Sequence, residues 1–78
     1  MNTTYEILTE ISNEHLRATS KFPCFASAHE GYAVLLEEVD ELWDEIKRKG
    51  ASKERMREEA IQVAAMAVRF IIDCTEEP

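Results

Sequence analysis

The stretch from Leu35 to Ile46 constrains this chain more than any other. Wound at about 100° per residue, it sets Leu35, Val39, Leu42, Trp43 and Ile46 on one face. Glu37, Glu38, Glu41, Asp44 and Glu45 fall on the face opposite. The pattern predicts a helix. Its bulky apolar stripe must pack against other elements, and its carboxylate stripe must meet either water or a cation. A second segment, Glu58 to Asp73, has the same helical period and opens with Glu58-Glu59-x-x-Gln62. The functional question is whether the two acidic segments face each other.

Composition supports helices throughout, because two Gly and two Pro in 78 residues leave few breakers. The length allows one domain, residues 1–78, with so little core that oligomerisation is expected. A net charge of -7 repels bare phosphate backbones, so no nucleic-acid partner is expected. Small anionic substrates stay compatible with that charge if divalent cations bridge them to the carboxylates. Cys24 and Cys74 match no metal or redox spacing and read as reduced thiols of a cytoplasmic protein. No basic segment followed by an apolar run opens the chain, so no signal peptide is read. The apolar run Ile61 to Ile72 is broken by Gln62 and Arg69 and is too short to span a bilayer, so no membrane partner is expected.

Taken in order, Asn2, Thr3 and Thr4 offer an N-cap for a first helix, about 4–19, with Ile7, Leu8, Ile11, His15 and Ala18 on its apolar face. His15 reads as a core or interface histidine. Pro23 interrupts the chain, and Phe22 and Phe25 are expected to fold back onto the helices. Ser27 and Glu30 have the spacing of a capping box, which starts a second helix, about 28–49. Lys47, Arg48 and Lys49 suit the negative end of its dipole, with phosphate contact at the mouth of a site as the alternative reading, and Gly50 supplies a left-handed stop. Ser52 caps a third helix, about 53–74, and Thr75 to Pro78 form a tail. Met56, Ala60, Val63, Ala64, Ala67, Val68, Phe70, Ile71 and Ile72 cover most of the third helix, which predicts burial on several sides. The fold class expected is all-α: a small antiparallel bundle of three main helices, completed by dimerisation through the third helix.

Carboxylates at i and i+3 or i+4 project from one helix face about a turn apart. Glu38 with Glu41 and Glu59 with Gln62 have that spacing, as do Glu37 with Glu41 and Glu58 with Gln62. Hard divalent cations such as Mg²⁺ take oxygen ligands of this kind. Glu37 to Glu45 contains no basic residue, so repulsion along the acidic turns is left standing. The pattern Glu37-Glu38-x-x-Glu41, a gap, then Glu58-Glu59-x-x-Gln62, with the run Tyr32-Ala33-Val34-Leu35-Leu36 leading in, resembles the MazG-like all-α nucleoside triphosphate pyrophosphohydrolases. The resemblance spans residues 27–74, with the first helix fitting the family's leading helix.

What the resemblance implies is a hydrolase that converts a nucleoside triphosphate to the monophosphate and pyrophosphate, with Mg²⁺ or Mn²⁺ as cofactor. It implies a homodimer or dimer-based tetramer. By position, Glu38, Glu41, Glu58, Glu59 and Gln62 inherit metal roles, and Glu37 or Glu38 inherits the catalytic role of orienting a water. Arg69 and Lys47 are the candidates for substrate phosphate, although Arg69 has Asp73 one turn ahead as a natural ion-pair partner. The family has Asp where this chain has Gln62, and the neutral amide weakens one metal position and lowers or abolishes catalysis. The rival reading is a non-catalytic helical dimerisation or interaction module whose acidic stripe meets solvent or a basic partner.

Overall fold

The computed structural model describes residues 3–76 and folds them into three helices: α1 (Thr4–Lys21), α2 (Ala28–Lys47) and α3 (Lys53–Thr75). The all-α expectation holds. The cap candidate Asn2 and the last two residues of the expected tail, Glu77 and Pro78, lie outside the described residues.

Each helix starts on a side-chain cap that satisfies an otherwise orphaned backbone donor. Thr3 accepts from Glu6 N–H, Ser27 from Glu30 N–H and Ser52 from Arg55 N–H. The capping box at Ser27 closes one residue early, since Glu30 Oε1 accepts from Ala26 N–H at 3.0 Å. Gly50 does adopt a left-handed φ of 74°, but it does not end α2. That helix stops at Lys47 because Arg48 turns to extended backbone, and Gly50 shapes the link to α3.

The central element is α3. Phe25 N–H donates to Asp73 at 3.0 Å and Gly31 lies against Phe70, so the start of α2 meets the end of α3 and the two run antiparallel. On the other flank Glu10 pairs with Arg57, Glu14 with Gln62, and Pro23 with Arg69, so α1 runs in the same direction as α3. Among the described residues α1 and α2 do not pack on each other; both lean on α3. This explains the broad apolar arc of α3, which serves two neighbours within one chain. The core is correspondingly small: Ala18, Phe25, Ala65 and Met66 are buried, with Val34, Leu35, Phe70 and Cys74 packed around them. Phe25 folds inward as expected, whereas Phe22 stays 59% exposed.

The apolar stripe read on α2 splits in the same way. Leu35 and Leu42 are half-buried, while Val39, Trp43 and Ile46 face outward. The helix turns its Leu35–Glu38–Leu42–Glu45 side towards α3, about 60° round from the stripe read from sequence, which buries part of Leu35 and Leu42 and crowds Glu38 and Glu45 near Glu59.

Gly31 permits the close approach of α2 and α3. A Cβ there would meet Phe70 Cδ2 at 2.8 Å and Phe25 Cδ2 at 3.1 Å. Overpacking of this kind costs about 1–3 kcal/mol, against roughly 1 kcal/mol of helix propensity gained from Ala. Gly31→Ala is therefore expected to lower the urea midpoint at an unchanged slope. A higher midpoint would mean that the Phe70 ring swings clear at no cost.

Candidate metal centre

Glu38 and Glu41 stand one turn apart on α2, and Glu59 reaches across from α3. One carboxylate oxygen from each lies within 4.8 Å of the other two. Glu41 is exposed, and Glu38 and Glu59 are half-buried. The second oxygen of Glu59, Oε2, is buried with no hydrogen-bond partner. Glu45, a further turn along α2, contributes a buried Oε1 that also lacks a partner, while its Oε2 pairs with Arg48 at 3.2 Å.

This crowding has an electrostatic signature. Burial, then the charge and hydrogen bond of Glu41, then the charges of Glu59 and Glu37 push the Glu38 carboxyl up to about 7. Burial and the neighbouring Glu41 and Glu45 also raise Glu59. Each effect disfavours a bare carboxylate. Proton uptake or a bound cation would each relieve the repulsion among these carboxylates. The donor set, all hard oxygen, fits Mg²⁺ or Mn²⁺.

A proton taken up on folding has a measurable consequence. Between pH 4.5 and about 7 the folded chain keeps a proton on Glu38 that the unfolded chain has released. Stability of the metal-free protein therefore falls as pH rises through that window. Glu10 and Glu14 act in the opposite sense, being lowered by hydrogen bonds to Arg57 and Arg17, but their contribution is lost only below pH 4.5. Melting in EDTA is expected to be higher near pH 5.5 than near pH 8. A flat profile between these values would show that the three carboxylates do not share a site.

A scan of protein-family models and searches of curated proteins and solved structures return no match for this chain. Its site is described by its own residues.

The remaining candidates lie elsewhere. Glu37 points away from α3 and is exposed, close enough to Glu38 to be felt as charge. Glu58 and Gln62 line a groove of about 330 Å³ between α1 and α3, together with Glu10, Glu14, Arg17 and Arg57. There the Gln62 amide donates to Glu14 Oε1 at 2.8 Å, so its hydrogen bond goes to α1. Arg69 is 5% exposed; its guanidinium donates to the Pro23 carbonyl, lies 3.4 Å from Asp73 and sits 4.3 Å above the Phe25 ring. Lys47 is near Asp44 at 3.5 Å and over the Trp43 ring at 5.6 Å, on the outer side of α2. Glu45 was not singled out from sequence as a site residue. Its signal was present, since Glu38, Glu41 and Glu45 form one i, i+3, i+7 row.

Proposed function

We propose that this chain is a MazG-like, Mg²⁺-dependent pyrophosphohydrolase of nucleoside triphosphates, with Mn²⁺ as an alternative ion, assembling as a homodimer or a dimer-based tetramer in the cytoplasm. The observation that carries the reading is the convergence of Glu38, Glu41 and Glu59 from two helices. A divalent cation held by these three would neutralise phosphate charge and lower the pKa of a bound water.

The chain's own groups have distinct parts to play. Glu59 is held by α3, the best-packed helix, and gives the site a rigid wall. Glu41, exposed at the rim, is the carboxylate a triphosphate reaches first. Glu38, which converges with both Glu41 and Glu59, is the preferred orienter of the attacking water through the oxygen it does not give to the ion, and Glu37 stands outside the cluster.

The second reading, a non-catalytic helical module, draws on different observations. Gln62 is neutral and committed to Glu14, Arg69 is committed to Asp73 and Pro23, and Lys47 sits on the outer side of α2. Of the two cations assigned to substrate phosphate by the resemblance, Arg69 is engaged in the core and Lys47 lies beside Asp44 and Trp43. The deciding experiment is an assay of pyrophosphate release over a panel of nucleoside triphosphates with millimolar Mg²⁺. Turnover that disappears in EDTA supports the hydrolase. No release from any triphosphate, with metal binding intact, leaves the module.

A further inference from the structure

The described residues leave more surface open than a folded chain of this mass normally does. The accessible surface is 5841 Å² for 9.0 kDa, whereas a folded monomer of that mass has roughly 4,850 Å². The Cα radius of gyration is 13.4 Å, against about 11.5 Å for a compact globule of this length. The excess, on the order of 1,000 Å², is close to the roughly 800 Å² per partner that a specific interface buries.

Much of that excess follows a rule. Tyr32, Leu36, Val39, Trp43 and Ile46 are all exposed, Tyr32 by 62% and Trp43 by 54%. Their spacing is 4, 3, 4, 3, the alternation of a coiled-coil seam, sustained for the length of α2. They occupy the side of α2 that adjoins the Leu35–Leu42 edge packed on α3 and turns away from it. No other helix matches this. On α1 the exposed Tyr5, Leu8 and Leu16 are interrupted by Ser12, and on α3 Ile71 and Ile72 occupy a single turn.

We propose that the Tyr32–Leu36–Val39–Trp43–Ile46 seam of α2 is a homodimer interface, in which it packs antiparallel against the same seam of a second copy. The inference rests on the dimeric part of the reading above and is independent of catalysis. A two-fold axis near position 41 sets Leu36 against Ile46 and Val39 against Trp43 of the other copy. The helix dipoles favour this direction, because antiparallel pairing opposes the two macrodipoles whereas parallel pairing would stack like ends together. Asp40 flanks the axis and meets its own copy, and each copy carries a net -7, so added salt is expected to tighten the dimer.

The test needs neither metal nor nucleotide. Sedimentation of the native chain in EDTA at about 10 µM is expected to give a dimer. Dilution should red-shift the emission of Trp43, the only tryptophan, as the seam opens to water. Val39→Glu should weaken association at least about 100-fold with helicity retained, and Ile71→Glu should leave it unchanged. Leu36→Glu and Ile46→Lys should each weaken it. The two together in one chain should restore it, because antiparallel pairing sets the introduced carboxylate of each copy against the introduced ammonium of the other. A monomer at about 100 µM overturns both the interface and the dimeric reading. A dimer that survives Val39→Glu overturns the seam alone, and a double variant that does not recover overturns the antiparallel direction.

Discussion

Arg69→Met is expected to leave the chain mostly unfolded at room temperature. The guanidinium is buried where the α1–α2 link crosses α3, and three groups depend on it. Asp73, itself 7% exposed at its side chain, would keep a buried charge without its counter-ion; the Pro23 carbonyl would lose its donor; and the Phe25 ring would lose the cation above it. Breaking a buried pair by removing one partner costs about 3–5 kcal/mol. A chain of this length holds only roughly 4–12 kcal/mol in total, and its small core places it at the low end. Lysine is not expected to rescue, because one ammonium cannot reproduce the planar fork and the contact over the ring. Circular dichroism with a urea titration reads the effect. A loss below about 1 kcal/mol would show that solvent screens the pair.

The second large effect belongs to the acidic cluster. Millimolar Mn²⁺ or Mg²⁺ is expected to raise the melting temperature of the native chain sharply. At one hundred times Kd, binding to the folded state alone contributes about 2.7 kcal/mol. For a domain of this size each kcal/mol is worth roughly 4–8 °C, so the shift exceeds about 10 °C. Glu59→Gln should remove that shift and also make the metal-free protein more stable. The substitution takes away one buried charge from a group of like charges, and its amide can donate to Glu41. The two outcomes together are diagnostic, since a merely structural Glu59 would lose stability without metal. If the native chain melts at the same temperature at every divalent concentration, the three carboxylates hold no ion and the hydrolase proposal goes with them.

Local signals in the chain carried the helices. Thr3, Ser27 and Ser52 are short polar residues ahead of apolar periodicity, and each caps a helix through a hydrogen bond to an amide three residues on. Such bonds involve neighbours only, so sequence suffices to find them. The acidic row Glu38–Glu41 was legible for the same reason: helical spacing alone puts these two on adjacent turns. Glu37 shows the limit. It adjoins Glu38 in sequence and shares its type, but a step of about 100° turns it to water.

Pairings between helices were decided by tertiary structure. Glu58-Glu59-x-x-Gln62 reads as one motif, yet α3 is flanked on two sides, and a shift of one residue decides which neighbour a side chain meets. Glu59 faces the α2 carboxylates, while Glu58 and Gln62 line the groove with α1. Likewise the five exposed residues of α2 are as apolar as the half-buried Leu35 and Leu42. Hydrophobicity says that both faces need cover; only the position of α3 shows which face it covers within the chain and which it leaves exposed. Sequence by itself determined three capped helices, an acidic row and an apolar excess, because these follow from spacing along one backbone. The fold alone decided that α3 is central, that Glu59 joins Glu38 and Glu41, and that Arg69 is buried with Asp73, because these depend on how separate helices rotate to fill space against each other.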